Sequence, residues 1–134
     1  ELVVVNYPSG QLETKSFYKD GKEDGISETY YENGQLWRKG NFKDGKEEGF
    51  WEFYLWSGQL LEMGNYKDGK EEGPWSYFFE NGQLASKGNY QNGQKEGLWQ
   101  YHDEYGQLWQ SGNYQGGKRE GRWRRYDENG QEIK

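Results

Sequence analysis

Two aspartates, Asp103 and Asp127, sit 24 residues apart in a chain of 134 residues. If the intervening chain is an antiparallel pair of strands, two strand spacings put their carboxyls roughly 10 Å apart on one face. That is long for a retaining glycosidase pair and near the range of an inverting one. Nothing else supports such chemistry. The sequence has no Ser-His-Asp set, no metal-ligand spacing and no Gly-rich phosphate loop between a strand and a helix. The single His102 rules out a histidine dyad or histidine-built metal site within one chain, and the absence of Cys excludes disulfides and thiolate metal sites. The aspartates therefore read as solvated groups near turns, and the chain as a non-enzyme with no cofactor and no metal. Charge among aromatic residues offers a different chemistry, that of recognition. Arg38 and Glu62 fall at one such position, and Glu47 and Glu71 at another.

What must position these residues is a repeat. The triplet "GQL" begins at Gly10, Gly34, Gly58, Gly82 and Gly106, and "GQE" follows at Gly130, always at intervals of 24. The single domain 1–134 thus divides into a leading half-unit (1–9), five repeats (10–33, 34–57, 58–81, 82–105, 106–129) and a stub (130–134). Each repeat holds two turn signals. One is Asp-Gly or a relative, as at Asp68-Gly69; the other is Asn-Gly or a near match, as at Asn81-Gly82. Both suit two-residue type I′ hairpins, with positive φ at both central residues. The segments between them are about ten residues long, rich in Tyr, Trp and Phe, and lack a 3.6-residue stripe. The expected fold is all-β: an elongated, single-layer antiparallel meander of five hairpin repeats plus a leading strand, about eleven strands in all.

Two-residue turns fix a register. Across Asp68-Gly69 they place Tyr66 opposite Glu71, Gly64 opposite Gly73, Glu62 opposite Trp75 and Leu60 opposite Tyr77. Across Asn81-Gly82 they place Phe79 opposite Leu84, Tyr77 opposite Ser86 and Trp75 opposite Gly88. These residues share one face. A Trp beside a cross-strand Gly has room to lie over bare backbone, and Trp51–Gly64, Trp75–Gly88 and Trp99–Gly112 fit that arrangement. The other face is mostly polar, with an apolar ridge where Tyr30 faces Trp37, Tyr54 faces Leu61 and His102 faces Trp109.

Composition agrees. Aromatics form 19% of the chain, there are 21 Gly, and mean hydropathy is −1.40. The chain is too polar for a thick core and too aromatic for disorder. No apolar run approaches the roughly 18 residues of a membrane span, and no signal-peptide pattern is present. The net charge of −6 argues against nucleic-acid binding. Residues 1–81 carry 9 Lys/Arg against 16 Asp/Glu, whereas residues 82–134 carry 8 against 7. An acidic first half favours a basic partner; the alternative is a surface that keeps an aromatic protein soluble.

The phrases "YYENGQLWRKGNFKDGKEEGFW" and "FFENGQLASKGNYQNGQKEGLW" resemble the MORN repeat, and more closely the bacterial variant of YwqK-type antitoxins. The shared marks are Gly-Asn-aromatic, Asp/Asn-Gly, Glu-Gly-x-Trp and Asn-Gly-Gln-Leu, over residues 10–134. The resemblance implies an array of hairpins and, for the bacterial branch, a non-catalytic protein that binds and neutralises a toxin. Relatives elsewhere imply scaffolding, dimerisation or membrane-proximal roles. The first unit departs from the pattern, with Ser16-Phe17 for Gly-Asn and Ser27 for Trp. So does the last, where Arg122, Arg124 and Arg125 surround Trp123.

The expected site is an open groove on the aromatic face. Its floor is Phe42, Trp51, Tyr66, Trp75, Tyr77, Tyr90, Trp99 and Tyr101, and its walls are Arg38, Glu47, Glu62 and Glu71. Aromatic and Arg side chains are what protein hot spots favour. The expected function is a protein-binding module, an antitoxin or immunity protein whose partner is a basic toxin domain. The alternatives are a membrane-proximal scaffold and an exported cell-wall or carbohydrate-binding module. A cytoplasmic location is expected, with export after loss of a signal peptide as the alternative. The apolar leading strand Leu2-Val3-Val4-Val5 offers an edge for a homodimer.

Overall fold

The computed structural model describes residues 1–134. Its strands are β1 (Leu2–Asn6), β2 (Leu12–Lys19), β3 (Lys22–Tyr30), β4 (Leu36–Lys43), β5 (Lys46–Tyr54) and β6 (Leu60–Lys67). They continue as β7 (Lys70–Phe78), β8 (Leu84–Gln91), β9 (Gln94–His102), β10 (Leu108–Gln115), β11 (Lys118–Tyr126) and β12 (Glu132–Ile133). All twelve form one antiparallel sheet in sequential order, with β1 and β12 at its edges. The stub thus adds a short twelfth strand to the eleven expected.

The two turn types differ. At the Asp-Gly turns both residues have positive φ, as at Asp68 (52°) and Gly69 (81°), which is the type I′ pattern. At the Asn-Gly turns only Gly does: Gly82 has φ 90°, and Asn81 is not among the left-handed residues. Here the Gly82 N–H donates to the Phe79 carbonyl and the Phe79 N–H to the Gln83 carbonyl. This is a type I turn over Glu80-Asn81, followed by a left-handed Gly. The longer loop corrects the expected pairing, so Phe78 rather than Phe79 faces Leu84. Likewise Tyr30 faces Leu36, Tyr54 faces Leu60 and His102 faces Leu108, not the residues one further on.

A second correction lies inside each hairpin. Tyr66 pairs with Glu71 and Asn65 with Glu72, but the next pair is Gly64 with Trp75. Gly73 and Pro74 form a bulge that the alternating pattern does not reveal. Gly73 takes φ 79° there, and Pro74 sits where a missing N–H is tolerated. Because two residues are inserted, the faces stay in phase. Glu62 consequently faces Tyr77 rather than Trp75, and Gly64 faces Trp75 rather than Gly73.

The bulge sets up the core. Trp75 pairs with Gly64 on one side and Gly88 on the other, but its indole lies over Gly64, where an added Cβ would stand 2.2 Å from the ring. Its Nε1–H donates to the Asn65 carbonyl at 2.9 Å, next to the register break. Trp51, Trp99 and Trp123 repeat this over Gly40, Gly88 and Gly112, each with an indole bond to the following Asn carbonyl. The sequence pairs Trp51–Gly64, Trp75–Gly88 and Trp99–Gly112 are therefore register partners, while each ring covers the Gly of the preceding strand. Tyr66 and Tyr90 meet Trp75 edge-on at 5.1 and 5.8 Å. The result is a core made by one sheet from its own side chains, with Trp51, Trp75 and Trp99 at most 2% exposed. In the first unit Ser16 and Ser27 take the Gly and Trp positions and hydrogen-bond to each other at 2.9 Å.

Successive hairpins are clasped at their turns. The Asn92 N–H donates to the Glu72 carboxylate at 2.8 Å, and the Gly93 N–H to the Glu71 carbonyl at 3.0 Å. Glu48 and Glu96 hold the Asp68 and Gly116 N–H groups in the same way. In the "KEEG" phrase, the second Glu belongs to the fold and the first is left to the aromatic face.

Candidate functional face

The repeat places one charged residue per hairpin on the aromatic face, each across from an aromatic ring or its equivalent. Tyr18 pairs with Glu23, Phe42 with Glu47, Tyr66 with Glu71, Tyr90 with Lys95 and Tyr114 with Arg119. The row is thus acidic over three hairpins and basic over two. Its second variable position runs Thr14, Arg38, Glu62, Ser86, Gln110, with Glu62 between Phe53 and Tyr77.

The expected floor divides in two. Phe42, Trp51, Trp75 and Trp99 are buried, so they hold the sheet and offer a partner no surface. This corrects the expectation that they line the groove: each indole is sealed by a glycine below and by neighbouring rings around it, and Phe42 packs edge-on against Trp51. Tyr66, Tyr77, Tyr90 and Tyr101 are half-buried and reach solvent, as do Arg38, Glu47, Glu62 and Glu71. The Tyr77 and Tyr90 hydroxyls hydrogen-bond at 2.6 Å, and those of Tyr101 and Tyr114 at 2.9 Å. The matching pair one repeat earlier is Phe53 and Tyr66, where no second hydroxyl exists.

The field changes sign along the face. Burial raises the Tyr66 phenol above its ordinary value, with Glu71, Glu47 and Glu62 adding to the effect. Glu62 is itself raised, by burial and then by Glu71. Two repeats further on, burial pushes Tyr114 up, but the Tyr101 hydrogen bond and the Lys95 and Arg119 charges together outweigh it and leave the phenol below its ordinary value. Lys95 Nζ lies 4.8 Å from the Trp99 ring centroid and 5.2 Å from that of Tyr114, and 3.2 Å from the Tyr101 hydroxyl. Arg119 stacks 4.0 Å over Trp123. Arg38 does not join the acidic group: its guanidinium lies 5.0 Å from the Trp37 ring. The chain's one ion pair, Arg122–Glu132, is at the far end, so Glu47, Glu62 and Glu71 have no cation within ion-pair distance.

Asp103 and Asp127 are turn caps. The Asp103 carboxylate accepts the N–H groups of Tyr105 and Gln107, and that of Asp127 accepts those of Asn129 and Gln131. An Asp opening a turn was the available signal. Pattern reading missed one feature of the other face. The residue after each bulge Gly gives a row of exposed apolar side chains, Ile26, Phe50 and Leu98, with Pro74 between the last two. His102, also off the aromatic face, has a buried Nδ1 without a partner, and burial and then Lys87 hold it below the ordinary imidazole value.

A single sheet of glycine-bulged hairpins with a clasped turn at every period defines a β-hairpin repeat array. Four stretches of the chain, residues 2–20, 23–44, 71–92 and 119–131, match the MORN repeat variant family. They make up more than half of the chain, which belongs to that family. The last three begin at Glu23, Glu71 and Arg119, the same position of the repeat at intervals of two units. A comparison with curated proteins finds no match.

Proposed function

We propose that the protein is a non-catalytic protein-binding module that engages a basic partner on the aromatic face of its sheet, and that it serves as an antitoxin or immunity protein. One observation carries the binding reading. In a repeat whose scaffold residues recur almost unchanged, the variable side chains of this face include Glu47, Glu62 and Glu71, which have no internal counter-ion and are set among half-exposed Tyr rings. Carboxylates in that setting cost the chain stability, as the raised Glu62 carboxyl indicates, and an incoming cation would recover it. Half-buried Tyr supplies rigid, amphipathic contact area. The toxin-neutralising part rests on the bacterial resemblance of the repeat phrase.

The test uses the tagged chain as bait in lysate of its own organism, beside a Glu47→Lys/Glu71→Lys variant. One dominant protein retained by the first and lost by the second supports a charge-guided module, and its identity as a small toxin domain supports the antitoxin role. Retention only on membranes would favour the rival scaffold reading, for which the exposed Arg119, Arg122, Arg124 and Arg125 at the C-terminal end are the natural contact. Retention only on wall fragments or glycans would favour the wall-binding reading. Either result would remove the proposal.

A further inference from the structure

The repeat contains its own demonstration of what the acidic face accepts. Lys95 extends over Trp99, Tyr101 and Tyr114 and places its ammonium 4.8 to 5.6 Å from the three ring centroids. One repeat earlier, the same three positions are Trp75, Tyr77 and Tyr90. Their two hydroxyls are bonded as in the later pair, and the position of Lys95 is taken by Glu71. A Glu side chain is shorter and carries the opposite charge. With Glu in that position, the outer rings, Tyr77 and Tyr90, face carboxylates instead of an ammonium. Both Glu71 and Glu62 act on these two phenols. A further repeat earlier the set is Trp51, Phe53 and Tyr66, with Glu47 in the Lys95 position.

We infer that the slots at Glu71 and Glu47 are receptor sites for lysine side chains of a protein partner, and that the chain fills the equivalent slot at Lys95 itself. The cation–π faces and carboxylates favour an ammonium, which a carboxylate-free ring set would hold less well. The two open slots are one repeat apart, roughly 10 Å from two strand spacings. A partner with two lysines at that separation engages both. The self-filled slot sets the register, because a partner shifted by one repeat brings its lysine onto Lys95 and is repelled.

This deepens the binding reading above and rests on it. The probe is a capped peptide carrying two lysines, added to the isotopically labelled full chain at low ionic strength. The indole N–H signals of the four glycine-covering residues Trp51, Trp75, Trp99 and Trp123 report by nuclear magnetic resonance. Saturable shifts at Trp75 and Trp51, absent with the norleucine analogue, are expected. Glu71→Lys should fill its own slot, as Lys95 does, and weaken the peptide about tenfold while the remaining spectrum stays folded. Lys95→Glu should open a new slot and make Trp99 respond. No saturable shift, an equal response to the norleucine peptide, or unchanged affinity in Glu71→Lys overturns the inference. A peptide that titrates while no protein is captured leaves the slots standing and removes the proposed function. A captured protein without any lysine-dependent shift does the reverse.

Discussion

Gly64→Ala tests the core directly. A Cβ at this position would lie 2.2 Å from Cδ2 and 2.4 Å from Cε2 and Cγ of Trp75, whereas carbon atoms settle at about 3.5–4.0 Å. The indole must retreat by roughly 1.3 Å or more. It cannot do so freely, because Tyr66 and Tyr90 abut it edge-on and its Nε1–H is fixed to the Asn65 carbonyl. Overpacking costs about 1–3 kcal/mol and the strained hydrogen bond about 1 kcal/mol more, so the expected loss is about 2–4 kcal/mol. With a urea slope of about 2 kcal/mol per molar, the unfolding midpoint should fall by about 1–2 M. Gly112→Ala is the internal comparison. The same close approach occurs there, at 2.3 Å, but Trp123 is only half-buried near the end of the sheet and can swing toward water. Its cost should be below about 1.5 kcal/mol. A Gly64→Ala protein within about 0.5 kcal/mol of wild type, or equal losses at Gly64 and Gly112, would refute a core built from indole on glycine.

Glu72→Ala removes the acceptor of the Asn92 N–H and should cost about 1 kcal/mol in thermal unfolding, while Glu80→Ala in an exposed loop should stay within about 0.5 kcal/mol. Ser27→Trp alone would drive an indole onto the buried Ser16 and destabilise by about 1–3 kcal/mol. Ser16→Gly with Ser27→Trp rebuilds the repeat pair, and calorimetry should find the double variant more stable than the single. Glu62 gives a pH dependence with a definite sign. Its folded carboxyl titrates above the ordinary 4.5, so the folded state holds the proton longer and stability falls as pH rises through that titration. Urea midpoints measured across it should decline in wild type, and Glu62→Gln should remove that component of the slope.

Much of this architecture is legible in the residues, and what is hidden has physical causes. Asp68-Gly69 announces its turn because both residues tolerate left-handed φ. Asn81-Gly82 misleads because the same pair also suits a longer loop in which only Gly is left-handed, and that moves Leu84 onto Phe78. The Gly73-Pro74 bulge is invisible to alternation because two inserted residues return the chain to the same face. The Trp-on-Gly pairing is readable as composition, but the side toward which the indole leans depends on the Asn carbonyl at the register break. Glu71 and Glu72 look alike in "KEEG", yet one faces the rings and the other clasps the next hairpin. Only contacts between hairpins distinguish them. For the site, half-exposed Tyr66, Tyr77 and Tyr90 were separable from buried Trp51, Trp75 and Trp99 only once the glycine beneath each indole was placed.

The most direct test of the central claim is to map the captured partner on the labelled chain by backbone and indole N–H shifts. The account predicts perturbation centred on Glu47, Glu62, Tyr66, Glu71, Tyr77 and Tyr90. Shifts confined to the Ile26, Phe50 and Leu98 row of the opposite face, or to Lys118–Arg125, would contradict it.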